Sequence, residues 1–233
     1  MIKFFKVFGL ICFLLINFQT FIFAQENYAR AHLWEKEIAA FQDFDKKESP
    51  KMGEILFVGS SSIRGWSTLK IDFPEFYIIN RGFGGSHLED VNFYANQIIF
   101  PYKPKLIVLY AGENDIVAGK SVENVFADFM KFVASARKNL PKTRIIYVSA
   151  KPSPARQGFE GKFKELNNLI ETETKKDKHL LFVDVWSRMI DANGKSKKEL
   201  FQADLLHINT EGYQIWHDAL LPHIKRGSKR NFR

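Results

Sequence analysis

Five short runs of apolar residues recur along the chain, and each ends at a small or polar residue. Continuous apolar runs rich in β-branched side chains are typical of strands that are buried on both faces. The pattern therefore predicts a sheet of five covered strands. These runs span residues 55–58, 76–79, 106–110, 145–148 and 180–183.

Between the runs, apolar residues recur at helical spacing. Val122, Val125 and Phe129, for example, share one helix face. Ser121 and Thr210 stand at the start of helical stretches and belong to residue types that cap helices. Because strands and helices alternate, we predict an α/β fold with a parallel sheet and helices on both faces, in one domain. The predicted helices span residues 27–44, 86–99, 121–139, 160–174 and 210–224.

The first 24 residues have a different composition from the rest of the chain. Lys3 and Lys6 precede an uncharged, mostly apolar run over residues 7–24, which ends in a small residue. This order is typical of a secretory signal peptide. We therefore expect residues 1–24 to be removed, leaving an exported domain over 25–233 with no membrane span. An uncleaved membrane anchor is the alternative, since a run of this length can cross a bilayer. Three polar residues within the run weaken that alternative.

Composition limits the classes of function. The chain has 233 residues, with 45% hydrophobic and 26% charged residues, which is the composition of a globular domain. Cys12 is the only cysteine and lies in the predicted signal peptide, so the mature domain would have neither a disulfide nor a thiol nucleophile. The net charge is +8, with part of the excess at 225–233. No basic stripe interleaved with aromatic residues is present, so we predict no nucleic-acid partner.

Polar motifs follow three of the predicted strands. Ser61, Gly85 and Asn114 each lie just beyond a strand, where parallel strands present their carboxyl ends at one edge of the sheet. Asp204 and His207 lie three residues apart before the last helix. We expect these motifs to converge and to supply a nucleophile, oxyanion donors, a base and a carboxylate that orients the base. Each motif alone also fits ordinary turn or helix-cap chemistry.

Taken together, these motifs resemble the four sequence blocks of the SGNH (GDSL-type) hydrolase family. Residues 57–61, Gly85, Asn114 and residues 204–207 match the blocks in their order. The family's usual Gly-Asp-Ser is here Gly-Ser-Ser, with Ser60 in place of the aspartate. The resemblance implies a three-layer α/β/α sandwich of flavodoxin-like topology. It also implies ester hydrolysis through an acyl-enzyme, without a metal or an organic cofactor.

The resemblance further implies a role for each motif residue. Ser61 would attack the ester carbonyl, His207 would accept its proton, and Asp204 would orient the imidazole. The backbone N–H groups of Ser61 and Gly85, with the Asn114 side chain, would form the oxyanion hole. No spacing of His and carboxylate residues indicates a metal site.

Basic residues near the motifs bear on the substrate. Arg64, Arg81 and His87 are candidate substrate-binding residues, and Lys151 and Arg156 follow the fourth predicted strand. Basic and aromatic groups suit a sugar or an anionic ligand. We therefore expect an ester substrate, with acetyl or another short acyl group on a carbohydrate. A lipase-like or thioesterase-like enzyme and a non-catalytic, exported carbohydrate-binding protein are the alternatives. Phosphoryl transfer is disfavoured because the chain has no G-x-x-x-x-G-K-[ST] pattern.

Overall fold

The computed structural model describes residue 30 and residues 32–228. The predicted signal peptide over 1–24, Cys12 and residues 229–233 of the basic tail lie outside the described residues. Within the described part of the chain, no helix combines the length and the apolar character that a membrane crossing requires.

The core of the fold is a five-stranded parallel sheet with the strand order β2-β1-β3-β4-β5. This order is that of a doubly wound, flavodoxin-like sheet, so the predicted fold class is confirmed. The chain reverses its winding direction between β1 and β3, and ligands in such folds bind beyond the carboxyl ends of the strands at that point. The strands are β1 (Ile55–Gly59), β2 (Ile78–Gly82), β3 (Leu106–Tyr110), β4 (Arg144–Val148) and β5 (Leu180–Val183).

Helices cover both faces of the sheet, which explains why most residues of the strands are apolar. In β1, Leu56 and Val58 pack in one layer, whereas Ile55 and Phe57 pack in the other. Helices α1, α4, α6 and α7 contribute to the first layer, and α8 with α2 and α3 to the second. The helices are α1 (Glu35–Glu48), α2 (Ser61–Arg64), α3 (Leu69–Asp72), α4 (Leu88–Ile98), α5 (Glu113–Val117), α6 (Val122–Asn139), α7 (Glu160–Thr174) and α8 (Thr210–Ser228).

Strand β2 lies further along the chain than predicted. The apolar run over 76–79 indicated a strand that ends before Asn80, but the strand spans Ile78–Gly82. Asn80 and Arg81 are polar and therefore interrupt the apolar pattern. Inside the fold the side chain of Asn80 is satisfied, because its Nδ2 donates to the carbonyl of Ile63 at 2.8 Å. The prediction failed because this partner comes from a different part of the chain.

Several helix boundaries also differ from the predictions. Helix α1 spans Glu35–Glu48 rather than 27–44, because a 3₁₀ turn (His32–Trp34) precedes it and its last turn is polar and gives no apolar signal. The last helix extends to Ser228 rather than to residue 224. Asn209, not Thr210, caps the last helix, since Asn209 Oδ1 accepts the Gly212 N–H at 3.1 Å. The predicted cap at Ser121 is confirmed by a contact to the first turn of α6.

Gly59 ends β1 at a point where the backbone of β3 comes very close. Its φ angle is +135°, and a Cβ atom there would lie 1.8 Å from the Tyr110 carbonyl oxygen. Only glycine has both the freedom to adopt this angle and the absence of a side chain. The close approach of β1 and β3 therefore requires glycine immediately before the Ser60–Ser61 turn.

We expect Gly59→Ala to lower the free energy of unfolding by at least about 2 kcal/mol, because it combines backbone strain with a clash against β3. Urea unfolding followed by circular dichroism measures this loss. Gly161→Ala is the matched control, because Gly161 lies in α7 and an added Cβ atom there would meet open space. That variant is expected to gain up to about 1 kcal/mol from helix propensity. Equal stabilities for the two variants would contradict the argument.

Candidate active site

Ser61 begins the short helix α2 immediately after β1. The turn before it is held by backbone hydrogen bonds, because the Ser60 carbonyl accepts the N–H groups of Ile63 at 2.9 Å and Arg64 at 3.1 Å. The Ser60 N–H donates to the Tyr110 carbonyl at 2.9 Å. These contacts are made by the Ser60 backbone and do not depend on its side chain. The turn therefore forms although serine stands where the SGNH pattern has aspartate.

The structure brings Ser61, His207 and Asp204 into contact. His207 Nε2 lies 3.1 Å from Ser61 Oγ, and His207 Nδ1 lies 2.5 Å from Asp204 Oδ2. Asp204 Oδ1 accepts the backbone N–H groups of Leu206 and His207, both at 2.9 Å. Hydrogen bonds lower the pKa of Asp204 to about 2. The bond from the His207 side chain has the largest effect, and that from the Leu206 N–H the next largest. Asp204 is therefore an ionised acceptor at neutral pH.

Backbone contacts hold the loop that carries this pair. The His207 carbonyl accepts the Gln202 N–H at 2.7 Å, and the Leu205 carbonyl accepts the Ala155 N–H at 3.2 Å. Leu205 has a φ of +56°, which is unusual for a side chain of this size. The contact at Ala155 ties the loop before α8 to the segment that follows β4.

Gly85 lies in the turn between β2 and α4. Its φ is +73°, and among the described residues no acceptor receives its N–H. The turn is fastened at both ends. Trp34 Nε1 donates to the Gly84 carbonyl at 2.7 Å, and the Leu88 N–H donates to Asp115 Oδ1 at 3.0 Å. The Gly85 N–H is therefore available to a bound group while its turn is held by other residues.

Asn114 lies in α5, just beyond β3. Its Nδ2 donates to the Ser86 carbonyl at 3.1 Å, and its Oδ1 accepts from Arg156 Nη2 at 2.8 Å. The side chain thus bridges the Gly85 turn and the segment after β4. One N–H of the carboxamide is used by Ser86, which leaves the second for a ligand.

Ser61, Asn114 and His207 line a small cleft with an empty volume of about 200 Å³, whereas Gly85 and Asp204 are not among its lining residues. Eight of its nine lining residues are polar or charged, so the cleft suits a small polar group rather than a long alkyl chain. The lining residues are Ser60, Ser61, Ser62, Glu113, Asn114, Lys151, Arg156, Leu206 and His207.

A buried charge cluster borders the cleft, and sequence reasoning missed its central residue, Glu113. Lys151 Nζ lies 3.1 Å from Glu113 Oε2, Arg156 Nη1 lies 2.7 Å from Oε1, and the Tyr110 hydroxyl also donates to this carboxylate. Burial would raise the pKa of Glu113, but the charges of Lys151 and Arg156 outweigh it and hold that pKa below its usual value. The only sequence signal was an acidic residue directly after the apolar strand and Gly112.

The candidate substrate-binding residues do not all reach the cleft. Arg81 is a correction: its side chain is buried, donates from Nε to the Tyr102 hydroxyl at 2.8 Å and pairs with Asp45. Because these partners satisfy its guanidinium, Arg81 supports the fold and is not available to a substrate. Its position in β2, rather than in a loop after the strand, explains the difference.

Arg64 and His87 lie beside the Gly85 turn but are not among the residues that line the cleft. Arg64 is exposed, pairs with Glu37 at 3.1 Å and packs on Gly84, where a Cβ atom would lie 2.4 Å from Arg64 Cζ. His87 is buried next to α4, with its Nδ1 3.5 Å from Glu89 Oε1. Both side chains therefore shape the turn.

The described residues contain no group of three or more His, Cys, Asp or Glu side chains arranged to hold a metal ion.

The sequence matches one family model over most of the described chain. Residues 58–215 match the model of the GDSL-like lipase/acylhydrolase family. No curated protein matches this sequence with significant similarity.

Solved structures share the fold at low sequence identity. A protein from Streptococcus pneumonia whose name refers to platelet activating factor is 21% identical, with a TM-score of 0.74, over 86% of this chain and 97% of that one. A GDSL-like lipase from Bacteroides thetaiotaomicron is 24% identical, with a TM-score of 0.67, over 85% and 98%. An acetylxylan esterase from Geobacillus stearothermophilus is 15% identical, with a TM-score of 0.61, over 75% and 95%. These similarities establish the fold.

Asp115 fastens the Gly85 turn from a buried position, and this has a consequence for pH dependence. Burial raises the pKa of Asp115 to about 6, although His87, Lys120 and the Leu88 N–H partly oppose the shift. An unfolded aspartate has a pKa near 3.9. Between about pH 4 and pH 6 the folded state therefore binds more protons than the unfolded state, and this residue makes the protein less stable as pH rises.

We compare the free energies of unfolding of Asp115→Asn and of the wild type. We expect the difference between them to shift in favour of the variant by about 2–3 kcal/mol as pH rises from 4 to 7. The asparagine can still accept the Leu88 N–H but never bears a buried charge. Denaturant unfolding of both proteins across this pH range measures the difference. Asp218→Asn is the control, and its stability relative to the wild type should change with pH in the opposite direction. The reason is that hydrogen bonding from His217 lowers the pKa of the exposed Asp218. A difference for Asp115→Asn that does not vary with pH would contradict the prediction.

Proposed function

Because this chain belongs to the GDSL-like lipase/acylhydrolase family, it is an ester-hydrolysing enzyme, and we propose that it uses Ser61 as its nucleophile. The family resemblance read from the sequence motifs is thereby confirmed. The observation that carries the proposal is the continuous chain of contacts from Ser61 Oγ to His207 Nε2 and from His207 Nδ1 to Asp204.

In the proposed mechanism, Ser61 Oγ attacks the ester carbonyl carbon while His207 Nε2 accepts the hydroxyl proton. The tetrahedral intermediate collapses, the bond to the leaving alcohol breaks, and His207 donates its proton to the alcohol oxygen. Water then attacks the acyl-enzyme with His207 as base, which releases the carboxylic acid and restores Ser61. Asp204 stays ionised and stabilises the imidazolium that forms in each half-reaction.

The negative charge on the carbonyl oxygen needs hydrogen-bond donors that are already in place. We assign the Ser61 N–H, the Gly85 N–H and Asn114 Nδ2 to this role. The contacts that support the assignment are those of Asn114 to Ser86 and Arg156, which hold its amide beside the cleft.

We further propose that the substrate carries an acetyl or similarly short acyl group on a carbohydrate. The small volume and polar lining of the cleft favour this choice, because a long acyl chain requires a broad apolar groove. The fold shared with an acetylxylan esterase is consistent with it. The signal-peptide pattern over residues 1–24 supports an exported enzyme that meets such polymers outside the cytoplasm.

Ser61→Ala tests the assignment of the nucleophile. We expect the variant to remain folded and to lose nearly all hydrolysis of p-nitrophenyl acetate, because no other hydroxyl contacts His207 Nε2 among the described residues. The readout is p-nitrophenolate release, and circular dichroism checks the fold. Ser67→Ala, which changes an exposed serine after α2, is the matched control and should retain wild-type turnover. Wild-type turnover in Ser61→Ala would refute the assignment.

A panel of esters tests the substrate class. We expect kcat/KM to fall at least about tenfold from p-nitrophenyl acetate to the octanoate, because Leu206 is the only apolar residue that lines the cleft and the longer chain would find little apolar surface there. Acetylated xylo-oligosaccharides should release acetate in the same assay series. A preference for long acyl chains, or for acyl thioesters over acetylated sugars, would replace the proposal with a lipase-like or thioesterase-like function.

A further inference from the structure

Arg156 makes a contact that the mechanism above does not use. It lies in the short 3₁₀ segment Pro154–Phe159 after β4, and its side chain is mostly buried. The guanidinium donates through Nη1 to Glu113 Oε1 at 2.7 Å and through Nη2 to Asn114 Oδ1 at 2.8 Å. One planar group thus connects a buried carboxylate to the side chain assigned to the oxyanion hole.

The orientation of a carboxamide matters at such a site. An asparagine side chain presents an acceptor on one side and a donor on the other, and rotation by half a turn exchanges them. With Oδ1 toward the cleft, Asn114 would repel a developing oxyanion rather than stabilise it. The two partners of Asn114 fix its orientation, because a guanidinium can only donate and the Ser86 carbonyl can only accept. The half-turn rotation would therefore break both hydrogen bonds.

From this geometry we propose that Arg156 is a positioning residue, which holds Asn114 so that the N–H not donated to Ser86 faces the substrate carbonyl oxygen. The inference rests on the proposed function and adds to it a residue that acts through Asn114. A cation on Oδ1 also polarises the amide, and this strengthens the hydrogen bond that Nδ2 donates.

The anchor of Arg156 is suited to this role. Glu113 is 3% exposed and Lys151 is 1% exposed, and the Glu113 carboxylate contacts Lys151 Nζ and the guanidinium nitrogen that Asn114 does not use, Nη1. The carboxylate is shared between Arg156 and Lys151, so loss of either partner still leaves Glu113 with a cation. The cluster can therefore hold the arginine firmly without making the fold depend on it alone.

A double-mutant cycle separates positioning from other roles. We expect Asn114→Ala to lower kcat by about 10²–10³. Arg156→Met should lower kcat by about tenfold with KM within about twofold, and it should have less than about a twofold effect in the Asn114→Ala background. Arg156→Lys keeps an ion pair with Glu113 but has a single nitrogen in place of Nη1 and Nη2, the two that Arg156 uses. It should therefore recover only part of the kcat that Arg156→Met loses.

Controls and a second readout make the test independent of turnover. Arg188→Met, at an exposed arginine, should match the wild type in kcat. In ¹⁵N spectra, the signals that vanish in Asn114→Ala identify the Asn114 carboxamide, and they should shift or broaden in Arg156→Met. Active-site titration with an organophosphate corrects kcat for any unfolded fraction.

The inference is overturned if Arg156→Met lowers kcat equally in both backgrounds, if it raises KM alone, or if the Asn114 signals do not change. Failure of the proposed function gives a different result. In that case the wild type would not hydrolyse any ester, while the carboxamide signals would still report whether Arg156 holds Asn114.

Discussion

The close pairing of β1 with β3 is the constraint on which the site depends. Gly59 lies opposite Tyr110 in the sheet, and the two backbones approach so closely that no side chain fits between them. The segments that follow these two strands therefore start side by side. The segment after β1 carries Ser61, and the segment after β3 carries Asn114. A wider separation would place the proposed nucleophile and the proposed oxyanion donor too far apart to act on one carbonyl group.

Hydrogen bonds between loops set the finer geometry. Asn114 contacts the carbonyl of Ser86, Asp115 accepts the Leu88 N–H, and Trp34 donates to the Gly84 carbonyl. Each bond joins the Gly85 turn to a segment distant in sequence. Because buried polar groups are costly when unpaired, these contacts resist distortion of the turn. Burial raises the pKa of Asp115, so keeping this carboxylate at the turn lowers the stability of the fold once the carboxylate is ionised.

The charged groups near the cleft form two sets. Asp204 is ionised and exposed, and it contacts the imidazole of His207. Lys151 and Arg156 share the buried carboxylate of Glu113, and Arg156 also contacts Asn114. In the proposed mechanism an imidazolium and an oxyanion form together, and these two sets would place a group of opposite charge near each of them.

The amino-acid sequence by itself determined the class of fold and the identity of the motif residues. The pattern of apolar residues predicted four of the five strands, because burial on both faces of a sheet leaves a continuous apolar run in the chain. Apolar residues at helical spacing predicted the long helices. The order of the motifs is read directly from the sequence. The sequence could not indicate that Arg81 in β2 pairs with Asp45 of α1. Nor could it indicate that Asn209 caps α8, or that the Glu113 carboxylate contacts both Lys151 and Arg156. Those outcomes depend on partners far away along the chain, and polar residues carry no periodic signal that names their partners. Only the tertiary structure decided which polar side chains stabilise the fold and which remain available to a substrate.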